Sequence, residues 1–215
     1  VVHRLDRDTT GCIAFAKDEE THWKLGRQWE ERTVDKRYLA VCHGHFRDAH
    51  GEGVEVIDEP IGPHPSKEKG YREKQVIRRD DLGKPAVTIA RVRERFGKHD
   101  ARGRFTLVEL ELKTGRTHQI RVHLAHRGHA IVGDTMYGGE PVEHAATGDP
   151  DAVATADRQM LHAALLAFVH PQTGEEMVFT APPPADMRSL IAWCREGDAE
   201  RMEPPGAVGL GRFGL

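Results

Sequence analysis

Residues 3–11 read H-R-L-D-R-D-T-T-G, which sets two acids, Asp6 and Asp8, among two arginines, Arg4 and Arg7. A carboxylate beside a cation favours its ionised form, and an ionised carboxylate can add covalently to an electrophilic carbon. The plainer alternative is a turn in which Asp6 or Asp8 bonds its own backbone, and spacing alone favours that turn. A second stretch, K-T-G-R-T-H-Q-I-R-V-H-L-A-H-R-G-H over residues 113–129, carries Lys113, Arg116, Arg121, Arg127 and four histidines with no acid. A glycine turn feeding a cationic helix N-terminus suits phosphate. A solvated basic helix face accounts for the same residues equally well. Tyr38, in K-R-Y-L-A-V, is a strand aromatic whose default role is packing.

Other chemistries fare worse. Fourteen histidines invite a metal reading. However, within the expected helix only His123 and His126 have (i, i+3) spacing, His126 and His129 straddle its end, and no carboxylate follows until Asp134. The expectation is no metal site. Gly209–Gly214 is formally G-x-G-x-x-G, but it follows no strand and opens no helix, so it carries no nucleotide-binding meaning. There is no G-x-S-x-G, no Walker lysine loop and no H-E-x-x-H.

Composition bounds the rest. The 215 residues favour one domain. Lys and Arg total 31 against 34 Asp and Glu, a formal charge of −3. That excludes holding nucleic acid by bulk charge but allows a local basic groove. No apolar run approaches the roughly 20 residues that cross a bilayer, so no membrane partner is expected. Three cysteines without a C-x-x-C pair argue against a disulfide framework and point to a reducing, cytoplasmic compartment.

The elements that must position these residues follow from local pattern. G-C-I-A-F-A-K (residues 11–17) reads as a short buried strand. Asp18 caps a helix to about Arg32, and Tyr38–Val41 resumes as strand. Residues 43–85 read as loops and short strands. Pro85–Phe96 and Phe105–Leu112 alternate like an antiparallel hairpin. Thr117 caps a helix to Arg127, stopped by Gly128. Glu140–Asp157 reads as a mobile insertion, Leu161–Val169 with Glu176–Thr180 as a strand pair, and Pro182–Glu196 as a helix start and body. The expected fold is α+β, with a mixed, largely antiparallel central sheet flanked by helices and loops. The division is a domain over 1–197 and a frayed Gly/Pro-rich tail over 198–215.

Taken in order, H-R-L-D-R-D-T-T-G, D-K-R-Y-L-A-V, T-G-R-T-H-Q-I-R-V-H-L, G-D-T-M-Y-G-G and L-H-A-A-L-L-A-F-V-H-P resemble the RluA-type pseudouridine synthases. The resemblance runs from residue 2 to about residue 190. It implies a pseudouridine synthase-like fold and isomerisation of uridine to pseudouridine in RNA, ribosomal or transfer, without cofactor. It implies Asp6 as the catalytic aspartate, Tyr38 as the tyrosine that stacks on the target base and can take the C5 proton, and Arg121 as the arginine that pairs with the aspartate. Arg4 matches a residue that, in some members, enters RNA where the uridine has left. Lys113, Arg116, His118 and Arg127 are expected to grip RNA, with Lys67, Lys69, Arg72 and Lys74 extending that surface. Thr10 stands for a commoner serine and Cys12 for a commoner leucine. The chain opens on V-V-H-R-L-D without the family's N-K-P-x-G segment, so leading strands, and in many members an S4 domain, are expected upstream. A monomer is expected. The competing reading is an RNA-binding module without catalysis.

Overall fold

The computed structural model describes residues 1–46, 51–66, 68, 71–97, 103–147 and 149–215. In chain order the elements are β1 (Thr10–Gly11), α1 (Glu19–Glu30), β2 (Asp35–His43), β3 (Val54–Asp58), β4 (Ile61–Pro63), β5 (Gln75–Ile77), β6 (Val87–Phe96) and β7 (Phe105–Leu112). They continue with α2 (Gln119–His126), β8 (Val142–Ala146), β9 (Asp149–Ala156), β10 (Leu161–Val169), β11 (Glu176–Thr180), α3 (Ala185–Arg195) and β12 (Ala199–Arg201). One eight-stranded sheet runs β1-β10-β2-β7-β6-β12, with β11 added to β10 and β3 to β6. Every pairing is antiparallel except β1 with β10. The mixed, largely antiparallel α+β class is therefore as expected. Among the described residues, no helix is long and apolar enough to cross a membrane.

Register divides the chemistry between the two faces. Tyr38 lies opposite Leu110 on β7 and Ala163 on β10, whereas Arg37 lies opposite Glu111. Successive strand residues point to opposite faces. Lys36, Tyr38 and Leu112 thus share one face, on which α2 sits. Arg37, Glu109 and Glu111 share the other with Arg91. β2 and β7 are buried on both faces, yet β7 alternates in sequence because its second face buries Glu109 and Glu111 rather than apolar side chains.

The second face is a buried ionic layer closed by the C-terminal segment. Arg93 donates to Glu109 at 2.5 Å, and Arg37 and Arg91 each reach Glu111 at 2.9 Å. The segment supplies further partners, although among the described residues the buried Arg93 Nε has no hydrogen-bond partner. The Val208 amide donates to Glu109 at 3.1 Å, and its carbonyl accepts from Arg93. The Pro205 carbonyl accepts from Arg91 at 2.9 Å. Phe213 is fully buried, and β12 pairs with β6. The expected frayed tail is thus an ordered cover. Proline and glycine set its bends, while the buried charges beneath require its backbone groups.

Three other expectations change. The strand expected over 11–17 shrinks to Thr10–Gly11, and Ile13 and Phe15 are exposed. The chain has left the sheet before those apolar residues. The expected mobile insertion is a hairpin of β8 and β9 against α3, with His144 and Ala156 buried and the His144 ring 5.8 Å from Trp193. Its small side chains suit a thin packed layer, and small size concealed the pattern. The second helix starts at Gln119 rather than after Thr117. The N-cap is His118 in the left-handed region (φ 56°), with no side-chain cap.

Phe213→Ala removes a fully buried aromatic from the covering segment. It is expected to cost about 3–5 kcal/mol. Urea denaturation followed by circular dichroism measures it, and a loss under about 1 kcal/mol contradicts the tail's part in the core.

Candidate active site

The loop carrying Asp6 is held from behind by the residues just before β10. The Gln159 side-chain amide donates to the Arg7 carbonyl (2.8 Å) and to Thr9 Oγ1 (2.9 Å). Arg158 donates to the Asp8 carbonyl at 3.1 Å. The Thr9 amide closes a turn on the Asp6 carbonyl (3.1 Å), and Asp8 takes φ 67°. Gly11 then lets β1 lie against β10. Its φ is +115°, and a Cβ there would fall 2.2 Å from the Ala163 carbonyl oxygen. The T-T-G of the sequence motif is thus a docking device. Thr10 Oγ1 bonds the buried His162 ring at 2.8 Å.

Arg121 arrives from α2. Gln119 pins the start of that helix. Its carbonyl oxygen accepts from Thr114 Oγ1 (2.7 Å) and the Arg116 amide (2.9 Å), and its amide donates to Thr88 Oγ1 (2.9 Å) and the Val87 carbonyl (3.0 Å). The Arg121 guanidinium is buried and forked on Asp134, Nε to Oδ2 at 2.7 Å and Nη2 to Oδ1 at 2.8 Å. Its remaining nitrogen, Nη1, lies 3.6 Å from Asp6 Oδ2. The Tyr137 ring lies against it, 4.9 Å from its centre. Tyr137 is held in turn, its hydroxyl 2.8 Å from His118 Nδ1 and accepting from the Gln75 amide at 3.0 Å.

The electrostatics follow from burial and these charges. Burial alone would lower the Arg121 pKa, but its hydrogen bonds and charge pairing with Asp134, and the charge of Asp6, raise it. Burial first and the Asp6 charge second push the Tyr38 phenol well above its ordinary range. Burial pushes Tyr137 up to about 12. Burial lowers the His118 imidazole despite the neighbouring Asp6. Two neutral phenols and a basic guanidinium thus surround one accessible carboxylate.

A cavity of about 250 Å³, on the scale of one nucleotide, opens over this group, with Asp6, Tyr38, Arg4, Arg116 and His118 in its lining. The expected trio of Asp6, Tyr38 and Arg121 is brought together, with Arg121 behind Asp6. Lys113 and Arg127 are not part of the cavity lining. They pair with Glu111 and Glu55. The stretch that reads as free of acid is therefore partly neutralised by acids from β3 and β7. His123 is buried, bonded to Thr88 Oγ1 and the Glu59 carbonyl. Among the described residues no three of His, Cys, Asp and Glu gather as a metal-holding group. Lys74 lies over the Tyr71 and Tyr137 rings, whereas Lys67 and Lys69 fall outside the described residues. Sequence reasoning missed Asp134 and Tyr137, although G-D-T-M-Y-G-G carried them. It also missed Lys36, His3 and Trp29, which line the cavity.

Residues 1–126, which include Asp6, Tyr38 and Arg121, match the RNA pseudouridylate synthase family. The chain belongs to that family. Among curated pseudouridine synthases, ribosomal large subunit pseudouridine synthase D of Vibrio vulnificus is 40% identical over 206 residues, 95% of this chain and 58% of the relative. The protein of the same name from Escherichia coli K12 is 42% identical over 193 residues, 89% of this chain and 54% of the relative. The chain thus spans a little over half the length of the curated relatives it matches. Human RNA Pseudouridylate Synthase Domain Containing 1 superimposes with TM-score 0.69 at 27% identity, covering 95% of this chain and 76% of the human one. The synthase fold and the family agree with the resemblance read from the motifs. Asp134 lies beyond the matched region, yet it holds Arg121.

Asp134→Ala leaves the buried Arg121, among the described residues, with only Asp6 as carboxylate partner. It is expected to cost about 3–5 kcal/mol of stability, read from urea midpoints; a loss below about 1 kcal/mol contradicts the clamp. A second expectation concerns acid. Burial, then the charge of Lys36, lowers His3 to about 4, and burial lowers His118, His123 and His162. The unfolded chain binds these protons first, so this stability is full above about pH 6.5 and is lost as pH falls. For His3 the loss runs down to about pH 4. The His3 ring resonance in proton NMR should hold still from pH 7.5 to about 5; a midpoint near 6.5 overturns it.

Proposed function

We propose that the chain isomerises specific uridines to pseudouridine in structured RNA, ribosomal RNA ahead of transfer RNA, as a cofactor-free, cytoplasmic monomer. The observation that carries this reading is Asp6 lying 3.6 Å from the clamped Arg121, in the cavity lined by Tyr38. Support for ribosomal RNA comes from the large-subunit names of the relatives. In the reaction the N1–C1′ bond breaks and a C5–C1′ bond forms. N1 gains a proton and C5 loses one, with no net oxidation. A target base must leave its stack to reach such a cavity. Tyr38 offers a ring on which the extruded uracil stacks, a contact worth about 1–3 kcal/mol.

Asp6 then adds covalently to the nucleoside or stabilises an oxocarbenium-like sugar. Arg121 keeps a cation beside it while Asp134 fixes the guanidinium plane. The raised Tyr38 pKa works against a phenolate that takes the C5 proton, so its assigned part is the platform. Arg4, exposed in the cavity lining, is assigned the part of occupying the gap left in the RNA. Arg116 and His118 line the wall. Lys113 and Arg127 serve only RNA that runs outside the cavity.

The test is tritium release from an unmodified bacterial large-subunit RNA transcript labelled at uridine C5. The full-length protein is expected to release label. Asp6→Asn should slow release by about 10³-fold or more while filter binding of the transcript changes little. Wild-type turnover by Asp6→Asn removes Asp6 from the chemistry. RNA binding without release by the wild type favours the non-catalytic module.

A further inference from the structure

The cavity lining also includes His3, Trp29, Lys36 and Gly115. Lys36 is half-buried there and, among the described residues, makes no salt bridge or hydrogen bond. The nearest carboxylate in sequence, Asp35, is on the other face of β2 and holds Arg37 at 2.7 Å. The ammonium faces Gly115, where an added Cβ would lie 3.8 Å from Nζ. The only acid in the cavity lining is Asp6, against the cations Arg4, Lys36 and Arg116. His3 and Trp29 stack at 5.0 Å, and among the described residues the buried indole N–H has no hydrogen-bond partner. Lys36 and the indole N–H are thus donors at the cavity wall, and in the lining as a whole the cations outnumber the one acid.

We propose that Lys36, framed by Gly115 and the His3–Trp29 stack, is a phosphate subsite that receives the phosphodiester next to the nucleotide whose base stacks on Tyr38. The inference rests on the uridine-isomerising reading and deepens it. Lys36 and Tyr38 are two residues apart on one face of β2, roughly 7 Å along the strand, the span of a single nucleotide. A lysine ammonium is a compact point charge suited to one phosphate. Its partial burial protects that attraction from salt better than a surface contact. Burial, and then the charge of Arg32, lowers the Lys36 pKa while the charge of Asp35 works the other way; an incoming anion acts in the same sense as Asp35. Gly115 keeps the approach clear of a side chain.

The experiment uses full-length protein, the C5-tritiated large-subunit RNA transcript and inorganic phosphate. Lys36→Gln is expected to raise KM about tenfold, with a smaller effect on kcat. It should also reduce the slope of log binding constant against log salt by about 0.7–0.9, one phosphate contact. Lys36→Arg should restore most of the affinity. Inorganic phosphate should compete with RNA on the wild type and lose that effect on Lys36→Gln. Wild-type KM and slope for Lys36→Gln overturn the proposal, as does Lys36→Arg as impaired as Lys36→Gln. Phosphate that binds through Lys36 while the RNA slope stays unchanged assigns the site to a free anion and also overturns it. If Lys36→Gln does not fold, Lys36→Met, which keeps the apolar stem, takes its place in the same comparison. Failure of the wild type to release tritium counts against the isomerisation reading. The salt slope still decides the phosphate contact in that case.

Discussion

One buried guanidinium organises the molecule. Arg121 joins Asp134, from the turn after α2, to Asp6, from the loop before β1. A buried charge left alone costs several kcal/mol, and a forked hydrogen-bonded pair removes most of that cost. Asp134 takes the forked side, so the weaker contact is left for Asp6. A carboxylate held in that way keeps a cation nearby without having both of its oxygens occupied. The Tyr137 ring, anchored by His118 and Gln75, keeps the guanidinium plane from turning.

The sheet separates this site from a second set of charges. Alternation along β2 sends Lys36 and Tyr38 into the cavity and Arg37 into the ionic layer. The layer is rigid because each carboxylate meets several donors, including backbone groups from the C-terminal segment. Those pairs pin the second face of β2, while its other face carries Tyr38 into the cavity that Asp6 also lines. Preorganisation of this sort is what electrostatic catalysis requires of a scaffold.

Much of the fold was legible because the central strands and helices obey simple periods. The β6–β7 hairpin, the β10–β11 pair and the Gly128 stop lie where pattern and turn chemistry put them. The trio of Asp6, Tyr38 and Arg121 was legible through ordered motifs, not through spacing, since gaps of 32 and 83 residues say nothing of proximity. What stayed hidden depends on partners remote in sequence. The 113–129 stretch looks uniformly cationic because Glu55, Glu111 and Asp134 lie outside it. The tail looks loose because its role is played by backbone groups, which composition does not report. The β8–β9 hairpin is built from small residues whose burial comes from neighbours rather than from their own size.

The pairing of β1 with β10 has a consequence for how the molecule comes into being. Thr10 and His162, bonded across that pair, are 152 residues apart. A contact with such a separation forms late, after the loop between has been ordered. During synthesis the segment bearing Asp6 emerges well before β10, the strand against which β1 pairs. The Asp6 loop is therefore without that support while the residues between are made. The site closes only once β10 is available.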